Sequence, residues 1–264
     1  MSGGPFDLTG LVAVVTGASG WLGVPMVDAL ADAGATVIAV SRNAARLEEA
    51  ASPARERGGR VETRSCDIAS PEWPRLVEQL TDEHGRLDVL VANAHIGHGG
   101  SLRTASDELF DEAWELSVKS TWRMIEAARP GLAAAVAAGS SPSIVTVSSM
   151  YGVVAPDLAI YATEEGRTPP FYGSAKAALL QLTRYAAAEL GTEGVRVNAI
   201  VPGPFPQHPE RMDPAFLDQL GSHTLVGRPG RREEIATALL YLASPASSFT
   251  TGTSLTVDGG WTAR

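Results

Sequence analysis

Short apolar runs rich in valine and isoleucine alternate along this chain with longer segments in which apolar residues recur at helical spacing. Uninterrupted apolar runs are typical of strands that are buried on both faces, and the segments between them are long enough for crossover helices. The pattern predicts an α/β fold, a Rossmann-like doubly wound parallel sheet of about seven strands with helices on both faces. The runs fall at residues 11–16, 36–41, 61–65, 87–92, 143–148, 195–201 and 254–257.

Residues typical of helix starts and helix ends support these elements, and two segments of the chain are irregular. Ser70-Pro71 is typical of a helix start, and Gly34 occupies the position where a glycine often ends a helix. Residues 151–171 and the proline-rich residues 204–229 fit no regular element. Long irregular segments in an α/β domain are often functional, so we predict one domain, residues 1–264, with these two segments as substrate loops.

Charge and cysteine content narrow the class of protein. The formal net charge of -9 disfavours nucleic acid and anionic membrane surfaces as partners. A single cysteine, Cys66, excludes an intramolecular disulfide and suits a reducing compartment. The first residues show neither a basic nor an apolar leader pattern, and no run is long enough to span a membrane. We therefore expect a cytoplasmic protein that acts on small molecules.

A glycine-rich turn follows the first predicted strand and opens the first predicted helix. Residues 16–23 read TGASGWLG. Glycines there allow a tight turn and let the backbone approach a pyrophosphate, whose charge is stabilised by free N–H groups at the helix start. A plain strand-to-helix connection is the alternative, but the position after the first strand favours a dinucleotide. The candidate cofactor contacts are Gly17, Ser19, Gly20, Trp21, Leu22 and Gly23.

Tyr172 and Lys176 form the second chemical signal. Residues four apart on a helix share a face, and a nearby ammonium favours the phenolate of a tyrosine, which would bring the phenol pKa toward a value useful for proton transfer. Such pairs also occur on solvated helices. Lysine is rare here, however: Lys119 and Lys176 are the only two among 21 basic residues.

Ser148 and Ser149 end the fifth predicted strand, at the sheet edge where open α/β sheets bind ligands. A hydroxyl at this edge can hydrogen-bond a substrate carbonyl as negative charge develops on its oxygen. Two serines at a strand end are otherwise ordinary turn residues. They become catalytic candidates only through the neighbouring signals.

These residues together resemble the short-chain dehydrogenase/reductase family, including its ketoreductases, over nearly the whole chain. The resemblance also includes Asn198 and the ending Val257-Asp258-Gly259-Gly260. It implies an NADP(H)-dependent oxidoreductase that interconverts a ketone or aldehyde with a secondary or primary alcohol. In that family Tyr172 would transfer the proton, Lys176 would bind the nicotinamide ribose and lower the tyrosine pKa, and Ser149 would hold the substrate oxygen.

The resemblance extends to the cofactor site. Ser41 stands where NAD-preferring relatives place an aspartate, and Arg42 follows it, so NADP(H) is the preferred cofactor and NAD(H) is possible. Asp67 would contact adenine and Asn93 would line the site. Further implied cofactor contacts are Ile68, Ala94, Tyr172, Lys176, Pro202, Gly203 and Phe205.

Three residues depart from the family pattern. Trp21 replaces a glycine in the pyrophosphate turn, and His95 replaces the glycine that usually follows Asn93-Ala94. Ser117 aligns with the usual catalytic asparagine, and we expect its hydroxyl to hold a relay water. An imidazole at position 95 could contact substrate or be structural. If these departures reflect lost redox chemistry, a lyase or epimerase, or a non-catalytic cofactor sensor, is the alternative.

The segment between Ser149 and Tyr172 is longer than the family usually has. Its polar residues resemble those of relatives that act on sugar acids and polyols, although a solvated loop is the plain alternative. We expect Tyr151, Phe171 and His95 to contact substrate, and no metal to bind.

The resemblance also implies a homodimer or homotetramer. Residues 107–129 and 173–190 are the expected interface helices.

Overall fold

Seven parallel strands form one sheet in the order β3-β2-β1-β4-β5-β6-β7. The structure, a computed structural model, describes residues 4–95 and 97–263. The fold class expected from the sequence is confirmed, and each apolar run contains a strand whose ends shift by at most two residues. The strands are β1 (Val12–Thr16), β2 (Thr36–Ser41), β3 (Arg60–Ser65), β4 (Val89–Ala92), β5 (Ser143–Val147), β6 (Arg196–Pro202) and β7 (Ser254–Val257).

Helices cover both faces of this sheet, so that two large apolar clusters lie on opposite sides of it. One cluster contains residues of α3, α4, α5 and α6, and the other contains residues of α1, α2 and α8. The helices are α1 (Gly23–Asp32), α2 (Ala44–Glu56), α3 (Glu72–His84), α4 (Asp107–Trp114), α5 (Ser120–Ala137), α6 (Pro170–Leu190), α7 (Pro214–Ser222) and α8 (Glu234–Ala243).

Strand β1 shows why the apolar runs are continuous. Val12 and Val14 pack into one cluster, whereas Ala13 and Val15 pack into the other. Because successive side chains of a strand point to opposite faces, a strand covered on both sides needs apolar residues at every position. Burial of all five β1 residues therefore follows from the helices on both faces.

Two differences from the sequence-based expectation concern the irregular segments. Helix α6 begins at Pro170, which places Tyr172 inside its first turn, because the prolines before it supply an extended N-cap and a first helical residue. Residues 204–229 contain α7, whose start is capped by the Asp213 carboxylate accepting from the Ala215 N–H at 2.9 Å. The prolines of this segment indicated irregular structure, so α7 was not predicted from the sequence.

The chain connections place a crevice beside β1. To one side of β1 the sheet continues through β2 and β3, and to the other through β4 to β7. Ligands of open α/β sheets bind at such a switch point, outside the carboxyl ends of the strands. Within the described ranges, no helix is both long and apolar enough to cross a membrane.

Candidate active site

A cleft of about 400 Å³ opens over the carboxyl ends of the strands. It collects residues that are far apart in the sequence but were selected from it as cofactor or catalytic candidates. Those that line it are Gly17, Ser19, Gly20, Trp21, Leu22, Ser41, Arg42, Asp67, Ile68, Asn93, Ala94, His95, Ser149, Tyr172, Lys176, Pro202, Gly203 and Phe205.

The glycine turn is held in one shape by close backbone contacts. Gly17 has a φ of 63°, which favours glycine, and a Cβ on Gly23 would lie 2.1 Å from the Gly17 carbonyl oxygen. The Asn93 side chain also holds the turn, because its Nδ2 donates to the carbonyl oxygens of Thr16 at 3.1 Å and Gly17 at 3.2 Å. Gly23 thus allows close packing and does not itself line the cleft.

This turn fits a diphosphate group. No side chain caps α1 at Leu22, and the N–H groups of Leu22 and Gly23 have no acceptor among the described residues, whereas the Val24 N–H donates to the Gly20 carbonyl oxygen at 3.1 Å. Leu22, Gly20 and Ser19 line the cleft at this point. Free N–H groups at a helix start, beside a backbone that side chains cannot obstruct, bind phosphate. The residues present therefore fit a dinucleotide.

The end of the cleft beside β2 carries arginine and serine side chains. The Ser41 and Ser19 hydroxyls lie 2.7 Å apart, and Arg42 and Arg46 both line the cleft with exposed side chains. Arg46 lies in the first turn of α2 and was not selected from the sequence; Arg42 precedes the helix cap Asn43, so no helical spacing linked the two residues. Other lining residues that were not selected are Val40, Cys66, Leu116, Val147, Ser148 and Gln207.

Tyr172 and Lys176 lie together at the other end. The Lys176 Nζ is 5.7 Å from the centroid of the Tyr172 ring and donates to the Val147 carbonyl oxygen at 2.7 Å. Lys176 is almost fully buried, with 2% of its surface exposed. The strand end of β5 therefore fixes the ammonium beside the phenol.

Burial dominates the ionisation of both groups. Burial raises the pKa of Tyr172, and the Ser149 hydroxyl opposes this by lowering it. This direction is opposite to the one expected from the Lys176 charge alone. Burial lowers the pKa of Lys176 to about 8, because a charged ammonium loses its hydration there. At neutral pH the pair is therefore a protonated phenol beside an ammonium.

The two serines after β5 have different partners. The Ser148 hydroxyl donates to the Lys176 carbonyl oxygen at 2.9 Å and is thereby engaged in holding α6. The Ser149 hydroxyl accepts from the Tyr151 N–H at 3.2 Å and lies beside the Tyr172 phenol. Of the two hydroxyls, only that of Ser149 interacts with the Tyr172 phenol.

Four selected residues do not line the cleft: Gly23, Ser117, Tyr151 and Phe171. Ser117 is buried in a π-helical turn, Glu115–Lys119, between α4 and α5, although the preceding residue Leu116 reaches the cleft. Phe171 is 1% exposed and packs edge-on against Phe110 in the core. Its position in the first turn of α6 directs it away from the cleft that its neighbour Tyr172 faces.

Tyr151 belongs to a chain of hydroxyl groups behind the substrate end. Its phenolic oxygen lies 3.1 Å from that of Tyr161, which in turn lies 2.8 Å from the Thr168 hydroxyl. The residues 151–168 are anchored by a small apolar cluster and by the Asp157 carboxylate, 3.0 Å from the His223 Nε2. The buried members of that cluster are Met150, Ile160, Leu220 and Trp261.

His95 stands at the mouth of the cleft. Its ring meets the Tyr172 ring edge-on at a centroid distance of 6.5 Å. Although the imidazole keeps contact with solvent, desolvation by the surrounding protein and then the Lys176 charge lower its pKa. The imidazole is therefore neutral at pH 7 and can both donate and accept a hydrogen bond.

The chain is similar to known reductases over nearly its whole length. A family model described as enoyl-(acyl carrier protein) reductase matches residues 17–262. The chain is 32% identical to the rhamnolipids biosynthesis 3-oxoacyl-[acyl-carrier-protein] reductase of Pseudomonas aeruginosa, over 97% of this chain and 98% of that protein. It is 34% identical to the A-factor type gamma-butyrolactone 1'-reductase (1S-forming) of Streptomyces virginiae, over 97% and 96% of the two chains.

The chain also resembles a solved structure in its fold. The gluconate 5-dehydrogenase of Burkholderia cenocepacia J2315, in complex with NADP and tartrate, superimposes with a TM-score of 0.86 at 26% identity, covering 98% of each chain. The fold and the cleft thus define an oxidoreductase with a dinucleotide-binding sheet. The chain belongs to the short-chain dehydrogenase/reductase family.

Proposed function

We propose that this protein is an NADP(H)-dependent oxidoreductase that interconverts a polar ketone or aldehyde with the corresponding alcohol, with Tyr172 as the proton-transfer group. One observation carries the proposal. Tyr172, Lys176 and Ser149 meet in the same cleft as a diphosphate-fitting turn and two arginines. A nicotinamide cofactor, when bound, supplies or accepts the hydride.

The residues divide the remaining work. Ser149 donates a hydrogen bond to the substrate oxygen, and in reduction Tyr172 delivers its proton to that oxygen as the C–H bond forms. The raised pKa of Tyr172 keeps this proton in place at neutral pH. Lys176, held by the Val147 carbonyl, offsets the phenolate charge that remains and would hold the nicotinamide ribose. In oxidation the same phenolate accepts the alcohol proton.

The preference for NADP(H) rests on charge at the adenosine end. Ser41 offers no carboxylate to repel a 2′-phosphate, and Arg42 and Arg46 offer two permanently charged guanidinium groups. A similar structure that contains NADP supports this assignment.

The substrate proposed is polar and hydroxylated. Neutral His95 lines the cleft, whereas the Tyr151 and Thr168 side chains line a second cavity and are joined through the Tyr161 hydroxyl. The imidazole can hydrogen-bond a second hydroxyl or carboxylate of a substrate in the cleft, and the Tyr151 and Thr168 hydroxyls would contact a polar substrate that extends into the second cavity. The similarity to a gluconate dehydrogenase complexed with tartrate supports this class. An acyl thioester, suggested by the reductase from Pseudomonas aeruginosa, is the competing class.

Ser117 keeps a proposed role in resupplying the proton. Its hydroxyl would hold a water where the family pattern has an asparagine side chain. Ser117→Ala should then lower kcat and Ser117→Asn should leave it unchanged, measured across pH. An alanine variant with the wild-type kcat at every pH would mean that the proton arrives elsewhere.

We also propose that the protein assembles through α4, α5 and α6. These helices expose large aromatic side chains, with Trp114 46%, Trp122 52% and Tyr185 66% exposed. Exposed large apolar side chains often mark protein–protein interfaces. Light scattering should give a dimer or tetramer mass, and a monomer mass would overturn this part of the proposal.

The activity itself is tested by NADPH consumption. The purified protein should oxidise NADPH with hydroxylated ketones and keto acids, and more slowly with apolar ketones and acyl thioesters. Turnover of a substrate without a change in cofactor absorbance would instead indicate lyase or epimerase chemistry. Tight cofactor binding with no turnover across the panel would indicate a sensor.

A further inference from the structure

Trp21 joins the glycine turn to two distant parts of the chain. Its indole lines the cleft, and the Arg232 guanidinium carbon lies 4.8 Å from the ring centroid. The centroid of the His208 ring lies 5.0 Å from that of the Trp21 ring, and the two ring planes are tilted by 51°. A cation stacked on an indole at this distance is attracted by the electrons of the ring.

Arg232 reaches this place from the segment that leads into α8. Its Nε donates to the carboxylate of the neighbouring Glu233 at 2.9 Å, and no other ion pair of Arg232 is found among the described residues. Helix α8 packs beside α1, and the Arg232 guanidinium lies against the Trp21 indole, two residues before α1 begins. Trp21 lines the cleft, whereas Arg232 itself lies outside its lining. The free N–H groups at this helix start are those of Leu22 and Gly23, which follow Trp21.

The tilted ring contact with His208 connects the same turn to the loop after β6. His208 has a φ of 51°, and it is the one described non-glycine residue with a positive φ. The preceding residue, Gln207, lines the cleft. The contact with Trp21 therefore fixes a loop that passes beside the cofactor end of the cleft.

The Trp21 indole N–H is a further donor at this place. Its Nε1 is buried and has no hydrogen-bond partner among the described residues. A buried donor without an acceptor costs free energy unless a ligand provides one.

The turn itself lacks a cation, since residues 16–23 contain no lysine or arginine. A diphosphate carries two negative charges, and the protein as a whole has a formal net charge of -9. We propose that Arg232, positioned by its stack on Trp21, is the cation that binds the diphosphate of the dinucleotide. The proposal rests on the cofactor use proposed above and deepens it, because it assigns the diphosphate and the 2′-phosphate to different arginines.

The test measures ligand affinity by calorimetry. Arg232→Gln removes the charge, Arg232→Lys keeps it, and the matched control Arg231→Gln removes the charge of a neighbour that is 70% exposed and bound to Glu234. Arg232→Gln should weaken NADPH and NADH alike, by about five- to tenfold, because both contain the diphosphate. Arg231→Gln should change either Kd by less than about twofold.

Fragments of the cofactor separate the two phosphate sites. ADP-ribose, which contains the diphosphate, should lose affinity in Arg232→Gln, whereas adenosine 2′-monophosphate should not. Trp21→Leu should weaken ADP-ribose as well, and the double variant should be no weaker than Arg232→Gln alone, because both changes remove one interaction. Unchanged affinity for adenosine 2′-monophosphate in each variant would show that the site remains folded.

Two results would overturn the inference without touching the proposed function. Equal NADPH and ADP-ribose affinities in Arg232→Gln and Arg231→Gln would mean that Arg232 only packs against Trp21. A loss confined to NADPH, with NADH unchanged, would place Arg232 at the 2′-phosphate instead. A wild-type protein that binds neither dinucleotide would overturn the proposed function, and this inference with it.

Discussion

The two ends of the cleft are formed by different structural elements. The end that we propose for the cofactor, hereafter the cofactor end, lies at the carboxyl ends of β1, β2 and β4, where close glycine contacts and the Asn93 amide hold the turn. The substrate end consists of 3₁₀ turns, loops and α7, held by their own small apolar cluster and by side-chain hydrogen bonds.

This difference separates two kinds of specificity. At the cofactor end the sheet fixes the backbone, so specificity there depends on a few charged side chains at the rim. At the substrate end the scaffold itself is made of side-chain contacts, such as Tyr161 with Thr168 and Asp157 with His223. Changes there should alter substrate selection while cofactor affinity stays constant.

Tyr172→Phe tests the point where the two ends meet and should have the largest effect. The variant loses the proton donor but little packing, so kcat should fall about 10²–10⁴-fold. Calorimetry should show a nearly unchanged Kd for NADPH. A variant that retained more than about a tenth of the wild-type kcat would exclude Tyr172 as the acid.

Arg42→Ala should act on the cofactor end alone. A charge-assisted contact to a phosphate predicts a loss of about ten- to a hundredfold in kcat/KM with NADPH and little change with NADH. Ser41→Asp should shift preference in the same direction, because a carboxylate repels a 2′-phosphate. Equal losses with both cofactors, or a wild type that prefers NADH, would contradict the NADP(H) assignment.

Tyr161→Phe should act on the substrate end alone. It removes the hydroxyl that links Tyr151 to Thr168 and should raise KM for a hydroxylated substrate by about three- to tenfold, the value of a typical hydrogen bond. The Kd for NADPH should not change. Tyr185→Phe, on an exposed tyrosine of α6, is the matched control. An equal KM in both variants would remove this hydroxyl chain from substrate recognition.

The features that the sequence predicted are those encoded locally. The strands follow from continuous apolar runs, and the glycine turn and the Tyr172–Lys176 pair follow from spacing within a few residues. Phe171 could not be placed in the same way, because its direction depends on where α6 starts, three residues before the expected position. The approach of Arg232 to Trp21 depends on the packing of α8 beside α1, which no local pattern records.

Lys176→Met should stabilise the cofactor-free protein while it disables catalysis. The pKa of Lys176 is lowered by burial from 10.5 to about 8, which corresponds to roughly 3 kcal/mol against the charged form in the folded state. The substitution also removes the hydrogen bond to the Val147 carbonyl, which offsets about 1 kcal/mol of the stabilisation. We therefore expect the melting temperature at pH 7 to rise by a few degrees.

The pH dependence of this gain identifies its cause. Below pH 8 the lysine is charged in both the folded and unfolded states, so the wild type carries the full penalty. Between about pH 8 and 10.5 the folded lysine loses its proton before the unfolded one, so the wild type regains stability and the two melting temperatures should converge. Lys119→Met, which alters a lysine 52% exposed and paired with Glu115, should show no gain. A Lys176→Met protein that melts lower than the wild type at pH 7, with no convergence at high pH, would contradict this prediction. It would show that the buried ammonium stabilises the fold.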